Sequence, residues 1–391
     1  MDNQLVNNHD IKAMINADYY NNLDIEGFSS MMKDPSSCYK FYWLEAIVCL
    51  ISEGVERTTF NDIIDEMIAN AWYSVVEYHI HLSGIMFGEV RDGLERAVLK
   101  LAELSGLNSN VSKVEIKANI KKYDKYIQNE KKQLTNMVPY RALAGFFVNA
   151  EEEIRWDSIT RMVAYIDSFN QNIKKLPYVL GDSPKLKKEV IFNSEWIRMI
   201  QDNTVSILGW IQFEKVKWLQ NNNPEVPGLV YKLAPLNEKM RKLGNVRKLW
   251  SEIIINEKVR DVFTDKTIES DSYDVDHFVP WSFVMNDELW NLMPMDSSLN
   301  SVKSNKLPMW EPYFEKFASN QYLLYMRIQE FDKIRGLFEK CYRDNLHSIW
   351  AIQELYKPGN SKQVFFEVLE SNMRPVYDSA RRQGYSIWKD V

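Results

Sequence analysis

The tract NNNPEVPG, residues 221–228, divides the chain. Two prolines in four residues remove backbone donors, and the closing glycine favours a turn, so no regular element runs through it. Nearly everything before it carries helical periodicity. YKFYWLEAIVCLI, residues 39–51, is apolar almost all round and predicts a buried helix. Thr59 and Asp62 form a capping box that opens TFNDIIDEMIANAWYSVVEYHIH. VRDGLERAVLKLAEL ends at Gly106, a natural helix terminator. Ser112 opens a charged helix, SKVEIKANIKKYDKYIQNEKKQL, with seven Lys against three acids. A solvated face is the ordinary meaning of such a run, and a nucleic-acid or partner surface is the other. Further helices are predicted over 151–169 and, as one long element, over 194–220. After about residue 315 helical periodicity returns.

At 391 residues the chain exceeds one typical domain. Net charge is −6, so the protein is not a basic nucleic-acid coat, and nucleic-acid contact has to come from local patches. One such patch follows the break. Residues 231–260 hold eight Lys or Arg against three Glu. On a helix through this segment, Arg241 and Lys248 share a face suited to DNA, while Leu243, Val246 and Leu249 suit the core. The three cysteines are far apart and include no CxxC pair, which argues against a structural zinc or a disulfide framework and fits a reducing cytoplasm. The N-terminus has no apolar signal core, and the longest apolar run, Leu44–Ile51, is too short to span a bilayer. His79 and His81 form an HxH, but positions i and i+2 of a helix do not face each other. His9 and His347 have no acid-rich context.

The pattern changes at residues 261–308. VFTDKTI and YDVDHFV alternate enough to predict two short strands, with ESDS as their turn. LWNLMPM reads as a loop returning toward them, and SSLNSVKSNK as a short helix ended by Leu307-Pro308. Asp276-His277, Pro280, Asn291, Asn300 and Lys303 stand out here. Asn291 follows His277 by 14 residues, and Asn300 follows Asn291 by nine.

This arrangement resembles the HNH endonucleases, whose catalytic unit is a ββα-metal finger. It is similar in particular to the HNH segment of the CRISPR RNA-guided DNA endonucleases. The resemblance covers about 50 residues. A helical body with a late finger is more loosely similar to bacterial restriction and phage-defence nucleases. Two departures from the wider family are visible: flanking CxxC pairs are missing, and Asn300 stands where colicin-type members have histidine.

Helical periodicity predicts a mainly α protein with a large helical body, and the resemblance implies a small ββα finger in its C-terminal third. Residues 1–230 form the body for targeting, regulation or partner binding. Residues 231–315 form the basic lead-in and the finger, and 316–391 form a helical segment packing on the body. His277 is the candidate general base, because imidazole titrates near working pH. It is expected in an open site. Asp276 and Asn300 offer oxygen to Mg²⁺ or Mn²⁺. Neighbours on a strand point to opposite faces, so Asp276 and His277 serve one centre only through a local irregularity. Asn291 is implied to orient the histidine loop. Lys303 shares a helix face with Asn300 and suits a phosphate, with Lys306 a weaker candidate beside Arg241 and Lys248. Trp281 and Trp290 anchor the finger to its neighbours. The implied activity is DNA cleavage in defence against foreign DNA, with a protein partner or the body choosing the target. Its rivals are an RNA-cleaving toxin and a helical interaction protein whose finger only docks. No membrane association is expected, and oligomeric state stays open.

Overall fold

A computed structural model of the chain describes residues 10–33, 35, 37–84, 92–136, 138–147, 158–169, 175–233 and 241–389. His9, the start of the helix expected over 151–169, and residues 234–240 of the basic lead-in lie outside these. The protein is mainly α-helical, with small sheets. Its contacts divide into two compact units: Met1–Pro224 with Lys232–Pro235, and Glu225–Tyr231 with Leu236–Val391. The division at Pro224 falls inside NNNPEVPG. Among the described residues no helix is long and apolar enough to cross a membrane.

The first unit is built on helices α1 (Tyr39–Ser52), α2 (Phe60–Val76), α3 (Gly93–Ser105), α4 (Lys113–Leu134), α5 (Ile159–Phe169), α6 (Ser194–Asp202) and α7 (Thr204–Asn222). α1 buries nine of its side chains, Phe41 to Ile51 among them, as its all-round apolar sequence requires. Its Glu45 is answered by the buried Lys215 of α7 at 2.9 Å. The Thr59–Asp62 capping box forms reciprocally at the start of α2. Gly106 ends α3 at φ 61°, a left-handed conformation that costs glycine nothing. Asn203 separates α6 from α7, so the single helix expected over 194–220 is two. The side-chain amide of Asn203 donates to the Met199 carbonyl at 2.8 Å, closing the last turn of α6. A three-stranded antiparallel sheet, absent from the sequence expectation, joins β1 (Arg57–Thr59), β2 (Tyr178–Leu180) and β3 (Glu189–Phe192) in the order β1-β3-β2.

The second unit opens with α8 (Gly244–Asn256), whose Val246, Leu249, Trp250 and Ile253 enter the core. Strands β4 (Tyr273–His277) and β5 (Leu292–Asp296) pair antiparallel, from Tyr273 opposite Asp296 to His277 opposite Leu292. α9 (Ser297–Lys303) follows directly, capped by the Asp296 carboxylate on Ser298 N at 2.9 Å. The expected ββα order is therefore present, but its strands differ. VFTDKTI is a loop, and LWNLMPM supplies the second strand. The reason is Asp261. One of its oxygens accepts Phe263 N and Thr264 N, each at 2.9 Å, which curls the chain into a turn. The other accepts Asp296 N at 2.9 Å and ties that turn to the end of β5. β6 (Leu307–Pro308) and β7 (Ile387–Trp388) pair in parallel. Helices α10 (Trp310–Glu330), α11 (Asp332–Asn345) and α12 (Lys362–Arg382) complete one hydrophobic core with the ββα element, from Val246 of α8 through Met293 of β5 to Trp388.

Candidate active site

The alternation of β4 sets the site. Tyr273, Val275 and His277 leave one face of the strand, and Asp274 and Asp276 leave the other. The two acids meet α9. Lys303, fully buried, places Nζ 2.7 Å from Asp276 Oδ2 and 2.8 Å from the His277 carbonyl oxygen. Asn300, one turn earlier on the same helix face, donates to Asp274 Oδ2 at 3.4 Å. Asp274 also receives Arg247 at 2.9 Å. Burial acts to raise the Asp276 carboxyl. The charge of the Lys303 ammonium, with hydrogen bonds from Lys303 and from the His277 backbone, outweighs it and holds the group below its ordinary value. Asp276 is thus an ionised carboxylate in a buried place, compensated by an ammonium.

His277 points the other way and is fully buried, so the expectation of an open site is corrected. Its Nδ1 lies 3.0 Å from Nη2 of Arg241. A guanidinium only donates, so Nδ1 must be the acceptor and the proton must sit on Nε2. Nε2 lies 3.0 Å from the Asn286 carbonyl oxygen and 3.1 Å from Asp287 Oδ1. Its one N–H goes to the carbonyl, leaving Asp287 as an electrostatic neighbour. Burial lowers the His277 pKa most, and Arg241 adds to that. Asp287 and Asp276 act against them without reversing the outcome. The ring is a neutral imidazole whose lone pair is capped by a cation.

Asn291 fixes the chain that follows the histidine. Its Oδ1 accepts Val279 N at 2.8 Å and its Nδ2 donates to Val279 O at 2.8 Å, while its own carbonyl accepts Phe278 N at 2.9 Å. All of this is buried. Pro280 then starts the short helix Trp281–Val284. Trp290 packs on Trp350 with ring centroids 5.2 Å apart and donates to Ser348 Oγ at 3.0 Å.

The structure therefore brings Asp276, Asn300 and Lys303 to one face of β4, and places His277, with Asn291 bracing the chain beyond it, at the strand's end. β4 keeps a regular register through His277, so Asp276 and His277 do diverge. Arg241 lies in the site itself, ahead of α8, which begins only at Gly244. The common helix face expected for Arg241 and Lys248 does not exist for that reason. Lys248 is exposed on α8, and Lys306 is partly buried just past α9. Sequence reasoning missed Asp287, ten residues past His277. Its Oδ2 accepts Lys242 N at 2.6 Å, and its Oδ1 faces both His277 and, at 3.9 Å, Arg241. Nothing local marks it, because the contact depends on the loop that returns to β5.

Among the described residues no three His, Cys, Asp or Glu side chains converge as a metal cluster. The donors on the α9 face are instead carboxylates and one amide. Oxygen donors with an already ionised Asp276 fit a hard divalent cation in kind.

Residues 261–309 match the model of the HNH endonuclease family. The matched stretch runs from Asp261, the turn-former, through both strands and α9 to Met309. It contains His277, Asn291 and Asn300 and leaves out the helices that enclose it. Comparison with curated proteins and with solved structures gives no match for the chain. The HNH segment supports a nuclease in general terms.

Proposed function

We propose that the chain is a divalent-metal-dependent HNH endonuclease that hydrolyses DNA phosphodiester bonds, acting in the cytoplasm in bacterial defence against foreign DNA. The observation that carries this reading is the state of His277 inside the matched segment. The ring is neutral, its Nε2–H is anchored on a backbone carbonyl, and Nδ1 is left as the proton acceptor. That is the protonation state a general base needs. Asn291 positions the histidine through Phe278 and Val279. Asp276 and Asn300 are the residues to hold Mg²⁺ or Mn²⁺, which supplies charge neutralisation at the phosphate; they leave β4 on the face opposite His277, so this reading requires the end of the strand to rearrange when a phosphate binds. Lys303 has to leave Asp276 before it can meet a phosphate, and Arg241 has to leave Nδ1 before water can. Arg241, Lys248 and Lys306 are candidate backbone contacts, and a partner or the helical body selects the target.

One observation favours a second reading. Both ring nitrogens of His277 are engaged, as they would be in an interaction protein that uses the finger only for docking. A supercoiled-plasmid assay with Mg²⁺ or EDTA, run beside RNA, tests both. The nuclease reading expects nicking with Mg²⁺, none with EDTA, and a loss on the order of 10²–10⁴ in rate for His277→Ala. Cleavage of RNA alone would indicate a toxin. Cleavage of neither substrate leaves the docking protein, and undiminished cutting in EDTA rejects the metal.

A further inference from the structure

The seven lysines of α4 fall into two sets. Lys113 and Lys117 both pair with the buried Glu66 of α2, and the fully buried Lys131 pairs with Asp65 of α2 and Asp124. With Ile116, Ile120, Ile127 and Leu134 in the core, these three fix the inner face of the helix. The other four lie outside. Lys121, Lys122 and Lys125 are exposed and Lys132 is partly so, and among the described residues none of them makes a salt bridge. Two of the helix's three acids are already engaged, Asp124 by Lys131 and Glu130 by Lys100 at 3.0 Å; the third, the exposed Glu115, lies in the first turn, six residues before Lys121.

Helix geometry aligns the outer set. At 100° per residue, Lys121, Lys125 and Lys132 fall within about 40° of each other and span about 17 Å of helix axis. Lys122 flanks them, with the exposed Tyr126 beside it. By contrast, the basic lead-in before the finger is largely spent inside its own unit. Lys242 pairs with Asp344 at 3.0 Å, Arg247 with Asp274 at 2.9 Å, and Arg241 faces His277 and Asp287. A solvated face that serves only solubility has no need of a line of uncompensated like charges, which repel one another. A polyanion removes that repulsion.

We propose that the outer face of α4 is a sequence-blind track for the phosphate backbone of a nucleic acid. The choice of ligand rests on the nuclease reading, and the placement of the charges does not. Lysine is a flexible point charge that suits phosphate contact without base recognition, and Tyr126 adds a ring at the edge of the stripe.

The test is the salt dependence of binding, measured on the full chain carrying His277→Ala so that no substrate is cut. Affinity for a short DNA duplex, and for an RNA duplex of the same sequence, is followed against salt. The variants are Lys121→Gln/Lys125→Gln/Lys132→Gln and the same three positions changed to Arg. Each lost phosphate contact reduces the slope of log affinity against log salt by about 0.9, so the Gln variant is expected to lose about 3 while the Arg variant keeps it. Thermal unfolding of both should match the parent, since the residues are outside the core. An unchanged slope for the Gln variant, or no binding to either duplex by the parent, overturns the track. If the slope falls while the wild type cuts nothing, the track stands and the nuclease reading fails. If the slope holds while Mg²⁺-dependent cutting persists, only the track fails. The RNA arm identifies which backbone is preferred.

Discussion

At the scale of single residues, the contact that governs the site is Arg241 on His277. A base whose lone pair receives a guanidinium N–H cannot accept a proton from water until that bond breaks. The structure therefore holds the histidine in the right tautomer and shields it at once. This predicts a change in chemical reactivity. In the wild type, His277 should resist carbethoxylation by diethylpyrocarbonate, because it is fully buried with both nitrogens engaged. Arg241→Ala removes the cover from Nδ1 and should make His277 reactive under conditions where the protein stays folded. Peptide mapping distinguishes it from the exposed His347, whose Nδ1 lies 3.1 Å from Glu288 and whose reactivity should not change. Equal protection of His277 in the variant would mean that Arg241 is not what covers the base. None of this was legible in the sequence, which gave Arg241 to a helix face. The helix begins three residues later, and a contact across 36 positions has no local signature.

At the scale of elements, the ββα unit was legible in part. Asp276-His277, Asn291 and the SSLNSVK helix fall where the pattern put them, because each is marked by a short, dense signal. The strand partner was misassigned. VFTDKTI alternates as well as any strand, but the Asp261 side chain competes for its backbone donors and wins. LWNLMPM reads as a loop because of Pro294, yet a two-stranded sheet is all edge, and proline is tolerated there. The element also depends on Asn291. Asn291→Ala would leave both the N–H and the carbonyl of Val279 buried without partners. Unmade buried bonds cost about 1–3 kcal/mol each, so a loss of about 2–6 kcal/mol is expected. Denaturant unfolding followed by the tryptophans of the second unit measures it. A variant as stable as wild type would show that the loop after His277 is held by something else, and the positioning role would pass to the β4–β5 register.

At the scale of the whole molecule, the break at NNNPEVPG and several helix caps were readable in the sequence. What the first unit resembles was not, since helix periodicity defines elements and not their arrangement. Two partly buried titratable groups of that unit carry a pH dependence that composition hides. His79, partly buried just beyond α2, is pushed down to about 4, by burial first and by His81 second. Asp65 of α2 is pushed up to about 6 by burial, against the pull of Lys131. The signs are opposite. For His79 the unfolded chain takes the proton first, near its ordinary 6.5, so the stability it contributes is complete above that value and is lost as the pH falls toward about 4. For Asp65 the folded chain takes the proton first, so its contribution is complete below about 4 and is lost as the pH rises through about 6. Between these limits the two contributions oppose each other and partly cancel in the wild type. Replacing the histidine separates them. His79 sits at φ 53°, a conformation asparagine tolerates, so His79→Asn removes the titration with little backbone strain. The variant should then gain on the wild type as the pH falls, by about 2 kcal/mol between about pH 7 and about pH 5 and about 3 kcal/mol near pH 4. Urea unfolding of the pair across that range measures the difference directly. A difference that does not move with pH would mean that His79 titrates alike in the folded and unfolded chain, and that the environment closing on it admits the charged ring.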